Sequence, residues 1–180
     1  MKLETGNNAS IITYKGITPK IDDSVFLCEG VRIIGDVEIG KDSSVWYNTV
    51  IRGDVHYIKI GERTNIQDMS MLHVTNGKYP LNIGNGVGIA HSVTLHGCTI
   101  KDSCLIGMGA LVLDNAIVEE KALVAAGAVI REGFTVPAGT LAAGVPAKII
   151  RDLRPDEIER VVTTADNYVK YVSEYREQLG

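Results

Sequence analysis

Aliphatic residues recur at a fixed step along most of this chain. Ile21, Leu27, Ile33, Ile39, Val45 and Ile51 lie six apart. The series slips by three and resumes with Ile60, Ile66 and Leu72. It slips again through Asn76-Gly77-Lys78-Tyr79-Pro80 and resumes with Ile83, Ile89 and Leu95. One five-residue step then leads to Ile100, followed at sixes by Ile106, Val112, Val118, Val124, Ile130 and Val136. Four residues after most of these positions stands a small or β-branched residue, as at Val25, Val31, Ser43, Thr49, Ala110 and Ala116.

A period of six matches neither the 3.6-residue period of an amphipathic helix nor the alternation of a half-buried strand. Hexapeptide repeats build a parallel β-helix, in which each unit is one short strand and a turn. Three units make a triangular coil, and coils stack about 4.8 Å apart, as strands do in a sheet. The aliphatic residue points inward and the small residue fills the corner. The pattern predicts one domain over 1–180, with the β-helix over 11–150. Residues 1–20 are polar and largely outside the repeat, and are expected to cap the first coil. Gly144-Val145-Pro146-Ala147-Lys148 breaks the period. Pro155-Asp156-Glu157-Ile158 then opens a predicted helix over 155–179, with acids in its first turn. Ile158, Val161, Val162, Ala165, Tyr168, Val169, Val172 and Tyr175 fall at helical spacing, so this face is expected to pack on the prism or on a neighbour.

Composition narrows the function classes. A net charge of −4 gives no support to nucleic-acid binding. No 18-residue apolar run and no charged-then-apolar leader is seen, so neither a membrane span nor a secretory signal is expected. Cys28, Cys98 and Cys104 form no disulfide framework, and an odd count at repeat positions suggests reduced thiols and a cytoplasmic setting. Cys104 occupies a small-residue corner and reads as core.

Three of the four histidines fall close together, as His73, His91 and His96. Three neutral imidazoles can hold one Zn²⁺ and leave a fourth position for water, the pattern of a catalytic zinc. His73 and His96 each follow the aliphatic residue that begins the third unit of a coil, as does Arg52. They should therefore stack on one face in successive coils, with nitrogens able to converge to the spacing of about 3.3 Å that a tetrahedral zinc requires. His91 comes two residues after Ile89, on the adjoining face, one coil above Asp68. Within one chain it does not easily meet the other two. Prisms packed around a three-fold axis bring the corner of one chain against the face of the next, so the spacing points to a homotrimer with interfacial sites. His56 lies in a slip between repeats and is expected to be exposed.

These segments resemble the γ-class carbonic anhydrases over nearly the whole chain. The carriers are Ile51-Arg52-Gly53-Asp54, Asn65-Ile66-Gln67-Asp68, Leu72-His73-Val74, and His91 followed by Leu95-His96-Gly97-Cys98-Thr99-Ile100. The resemblance implies an all-β fold, a left-handed parallel β-helix with a C-terminal α-helix. It implies a trimer in which His73 and His96 of one chain and His91 of another hold Zn²⁺, with Fe²⁺ or Co²⁺ as alternatives. It implies hydration of CO₂ to bicarbonate by a zinc-hydroxide mechanism, with a small-molecule substrate and no nucleic-acid or membrane partner. Arg52 and Asp54 match a pair linked across the interface, and Asp68 an acid behind a ligand. Gln67 matches a residue that hydrogen-bonds the metal-bound water, and Tyr168 a tyrosine that reaches the site from the C-terminal helix. Two positions depart from the pattern. Active members carry an acid directly after the residue matching Asp54, where this chain has Val55. They carry another soon after the first histidine, where this chain has Val74-Thr75-Asn76-Gly77-Lys78-Tyr79-Pro80. A carboxylate proton shuttle is thus missing, and weak activity is expected. Two other readings stand beside this one. Hexapeptide acyltransferases acting on acyl-CoA share the repeat and use a histidine base, and a related option is a thioesterase that hydrolyses acyl-CoA with the same metal hydroxide. A metal-bearing trimer without catalytic activity is the third reading.

Overall fold

The structure is a computed structural model that describes residues 8–179. Of the expected N-terminal cap, residues 1–7 lie outside the described part. The six-residue step becomes a stack of short parallel strands on three faces. One face runs from Phe26–Leu27 through Ser44–Val45, Asn65–Ile66, Gly88–Ile89 and Leu105–Ile106 to Leu123–Val124. The second carries Met71–His73, Thr94–His96, Leu111–Val112 and Val129–Ile130. The third carries Leu81–Ile83, Thr99–Ile100, Ile117–Val118 and Thr135–Val136. Two longer strands, Arg32–Ile39 and Val50–Ile60, bend from the second face onto the third and join them into one hydrogen-bonded sheet.

The aliphatic series forms the core. Leu27, Ile33, Ile51, Ile66, Leu72, Ile89 and Leu95 are fully buried, and each stacks on its equivalent in the next coil. The second series fills the corners as expected, with Val25, Val31, Thr49, Ala110 and Ala116 fully buried. Cys28, Cys98 and Cys104 are buried free thiols, and burial pushes the Cys28 and Cys104 thiols up to about 12, which keeps them protonated. The chain turns most corners through a left-handed residue three positions after the aliphatic one. Asp42, Asn48, Arg63, Met69, Ser92 and Asn115 all have φ between 54° and 58° or, at Met69, 61°. The three irregular steps, from Ile51 to Ile60, Leu72 to Ile83 and Leu95 to Ile100, all fall at one corner, between the second and third faces.

Thr140–Gly144 and Ala147–Asp152 close the stack as an antiparallel pair. The helix α1 (Pro155–Leu179) then lies on the first face. Glu157 fixes its start: its carboxylate accepts the backbone N–H of Arg154 at 2.9 Å and a bidentate pair from Arg151 at 2.7 and 2.9 Å. Val161, Ala165 and Val172 are buried; Val161 and Ile158 pack with Leu105, Leu123 and Leu141, and Val172 packs with Phe26 and Trp46. Gly88 permits this contact, since a Cβ there would stand 3.1 Å from the Thr164 methyl and 2.9 Å from Leu105. Val162 departs from the expected face and is exposed. It follows Val161 directly, and a helix turns neighbouring residues about 100° apart. No described helix is long and apolar enough to cross a membrane.

Candidate metal centre

His73 and His96 are paired by register in adjacent strands of the second face. Their side chains point outward, each one residue past a buried leucine, and His73 Nδ1 lies 3.1 Å from His96 Nε2. Each ring is held from behind by a carboxylate. Asp54 Oδ1 is 3.1 Å from His73 Nε2, and Asp114 Oδ1 is 2.7 Å from His96 Nδ1. Asp54 is held in turn by Arg52, whose guanidinium donates to Oδ2 at 2.6 Å. This pair forms within the single chain. Burial opposes the charge on Asp54, but hydrogen bonds from Arg52 and His73 outweigh it and hold its pKa below the ordinary value. For His73, burial is the largest influence and favours the neutral ring. The hydrogen bond with Asp54 opposes it, the charge of Arg52 adds to it, and the pKa falls below the ordinary value.

Proton counting exposes the chemistry of this pair. A carboxylate only accepts hydrogen bonds. The protons of the two neutral rings therefore reside on His73 Nε2 and His96 Nδ1, facing the acids. The two inner nitrogens then direct lone pairs at each other across 3.1 Å. A cation toward which both lone pairs converge would satisfy such a contact. Two imidazoles on a tetrahedral ion have nitrogens about 3.3 Å apart. The donor set thus fits a divalent metal.

His91 occupies the adjoining first face. The pairing of Ile66 with Ile89 places Asp68 one coil below it, and His91 Nδ1 meets Asp68 Oδ2 at 2.7 Å. Gln67 belongs to the same row. It is buried, and its Nε2 donates to Asn65 Oδ1 at 2.9 Å. Tyr168 reaches this side from α1. Its ring packs edge-on against Trp46 at 5.5 Å. Burial, then the charge of Asp68, pushes its hydroxyl up to about 12, so it stays a phenol at neutral pH. The predicted residues therefore form two groups on adjoining faces: Arg52, Asp54, His73 and His96 on one, Gln67, Asp68, His91 and Tyr168 on the other. Among the described residues, no three His, Cys, Asp or Glu side chains of a single chain converge as a metal site.

Two side chains of this region were not anticipated. Asn65 anchors Gln67, and Asp114 backs His96 while accepting from Thr75 Oγ1 at 2.6 Å. Asp114 had a signal: it comes two residues after Val112, which stacks on Leu95, so it lies one coil above Gly97. Asp114 also brings a carboxylate to the loop after His73 that the sequence of that loop lacks. Val55 is partly buried against the core rather than turned outward. His56 is half-buried, not exposed, because its Nδ1 accepts the Tyr57 backbone N–H at 2.9 Å.

No family model matches the chain. The chain is 53% identical over 150 residues to the "Probable carbonic anhydrase" of Methanocaldococcus jannaschii, covering 83% of this chain and 94% of that protein. It is 46% identical over 166 residues to the carbonic anhydrase of Geobacillus kaustophilus, covering 92% and 91%. It is 43% identical over 157 residues to the mitochondrial γ carbonic anhydrase 2 of Arabidopsis thaliana, covering 84% of this chain and 56% of that longer one. The chain belongs to the γ carbonic anhydrase family. Membership in this family implies a metal cofactor. A Bacillus cereus crystal structure described as a candidate acetyltransferase shares the γ carbonic anhydrase fold seen here, with a TM-score of 0.92, 42% identity, and coverage of 96% of this chain and 99% of that one.

Proposed function

We propose that this chain is a metal-dependent carbonic anhydrase that hydrates CO₂ to bicarbonate at a site completed between two copies in a homotrimer. His73 and His96 of one copy and His91 of another would hold the metal. The observation that carries the reading is the pair of inner nitrogens at 3.1 Å, each ring fixed from behind by its own carboxylate. Family membership supports the reaction. Asp68 holds His91 as Asp54 and Asp114 hold the other two, so all three rings have one nitrogen occupied and one available. That is the usual support of metal-bound histidines.

When bound, a divalent metal supplies Lewis acidity that brings coordinated water to a pKa of about 7, a value established for carbonic anhydrases. The chain's own residues position the rest. Gln67 arrives with the copy that contributes His91, fixed by Asn65, and its neutral amide orients water without taking its proton. Tyr168, on the same side, stays a phenol at neutral pH and is no base. Exposed apolar side chains favour association of copies beside the site. Met69 is 68% exposed next to Asp68, and Met108, 58% exposed, lies one coil above His91. Large exposed apolar residues grouped in this way mark association surfaces.

Acyl transfer from acyl-CoA is the second reading, favoured by the Bacillus cereus fold relative. A general base explains one histidine held by one acid, not three. Stopped-flow CO₂ hydration on metal-replete protein, at increasing buffer concentration, tests the proposal. The expected rate rises with buffer, because Val55 and residues 74–80 offer no carboxylate to carry the proton away, and Asp114 is held by His96 and Thr75. Metallated protein that is inert to CO₂ at every buffer concentration yet turns over acyl-CoA would reverse the order of the two readings.

A further inference from the structure

Asp114 lies outside every segment by which the sequence resembles its family, yet it makes the shorter of the two carboxylate contacts to the His73–His96 pair. Three features build its seat. Its Oδ1 meets His96 Nδ1 at 2.7 Å. Its Oδ2 accepts from Thr75 Oγ1 at 2.6 Å, so the carboxylate cannot rotate away without losing a second partner. Beneath it is Gly97, at φ +54°, where a Cβ would stand 2.3 Å from Oδ1 and 2.8 Å from the Tyr79 Cβ. Glycine directly after His96 therefore does two things: it permits the left-handed turn, and it leaves the space that the carboxylate fills.

The seat is rigid from both sides. The Gly97 backbone bonds the coil below through N–H to the His73 carbonyl at 3.1 Å, and the coil above through its own carbonyl to the Asn115 N–H at 2.8 Å. Thr75 is fixed by the short hairpin in which the Tyr79 and Lys78 N–H groups donate to its carbonyl. The acid, the ring it holds and the loop that clamps the acid thus form one unit from three coils.

We propose that Asp114 is a positioning residue: it keeps the proton of His96 on Nδ1 and turns the Nε2 lone pair toward the metal. The inference rests on the metal-site reading above. A free imidazole exchanges its proton between the two nitrogens, and in the Nε2–H form it offers the metal nothing. A fixed acceptor at Nδ1 removes that form. Acids in this position contribute about 10- to 100-fold to metal affinity when measured by mutation. A purely structural acid would instead serve only to tether the loop through Thr75.

Three variants separate these roles: Asp114→Ala, Asp114→Asn, which preserves the shape of the side chain, and Thr75→Val, which cuts the tether and leaves the acid. Nitrogen NMR on metal-free protein, above the ordinary histidine pKa, reads the tautomer of His96 directly. Competition with a chelator for zinc gives the affinity. The wild type is expected in the Nδ1–H form. Asp114→Ala should populate the Nε2–H form and bind zinc about 10- to 100-fold more weakly, and Asp114→Asn, whose amide oxygen still accepts but carries no charge, should fall between it and the wild type. Thr75→Val should keep the Nδ1–H form and most of the affinity. The proposal is overturned if His96 stays Nδ1–H in both Asp114 variants, or if Thr75→Val changes the tautomer as much as they do. If wild-type protein binds no zinc while its tautomer still depends on Asp114, the metal reading fails and the positioning stands.

Discussion

His73 and His96, 23 residues apart in sequence, face each other nitrogen to nitrogen at 3.1 Å, with a carboxylate behind each ring. Neutral rings so held cannot hydrogen-bond to each other, because both protons are committed to the acids. A positive charge to which both inner nitrogens contribute, a metal ion or a proton, would stabilise the pair.

Metal content follows from this. Purified, metal-replete protein should carry about one divalent ion per chain. Elemental analysis checks it, and His73→Ala or His96→Ala should each abolish the ion while leaving the β-helix folded. A metal-free wild type after incubation with zinc, iron and cobalt would mean that a proton is the bridging charge.

The split between two faces predicts complementation. His91→Ala and His73→Ala chains each fail to bind metal alone. Mixed and reassembled, they should regain it in part, since each supplies the half that the other lacks. Mixed oligomers with no more metal than either parent would overturn a site shared between copies.

Arg52 is 40% exposed in the single chain and Asp54 15%. An ion pair so placed contributes under about 1 kcal/mol to the fold of one chain. Arg52→Ala should therefore shift urea unfolding of the isolated chain little, but weaken the oligomer if copies meet over this face. Light scattering on dilution reads that difference. An oligomer as tight as the wild type's would leave Arg52 as a solvent contact.

Gly97→Ala should be costly out of proportion to one methyl group. The left-handed φ alone costs about 1–3 kcal/mol for a residue held there, and the methyl would overlap the Asp114 carboxylate. Metal affinity should fall together with stability. An alanine variant that keeps both would show that Asp114 can move aside freely.

Acid should release the helix before it melts the prism. The Arg151 hydrogen bonds, then the Arg154 backbone N–H, lower the Glu157 pKa from 4.5 to about 2. A carboxyl depressed on folding stabilises the protein fully above its unfolded pKa, and that contribution disappears as pH falls through the folded value. The relevant window runs from 4.5 down to about 2. Trp46 is the single tryptophan and packs on Tyr168 and Tyr175 of α1, so its fluorescence reports the release. In Glu157→Gln that pH dependence should be much reduced.

The coil architecture and the stacking of His73 on His96 were legible because a strict step of six maps a sequence position directly onto a face and an inward or outward direction. The placement of His91 above Asp68 followed from the same arithmetic. What lay beyond it were partners that depend on side-chain reach. Asp114 contacts His96 diagonally, from the i+2 position of the next coil, and Asn65 contacts Gln67 along its own strand. The first offset is not a period, and the second is the strand's own two-residue alternation, which puts both side chains on one face without saying that they bond. His56 was misread because it falls in an irregular step, where the alternation that fixes direction is suspended. Val162 was misread because helical spacing admits two adjacent residues to a face that has room for one.

The concentration of every irregular step at a single corner has an engineering consequence. Along that edge the chain can gain or lose residues without shifting any rung above or below, since the strands on either side keep their pairing across a nine-, an eleven- and a five-residue step alike. The edge adjoins His73 and His96. The prism thus behaves as a fixed frame with one open margin, and loops exchanged there between relatives should change access to the site while leaving the frame's own melting unchanged.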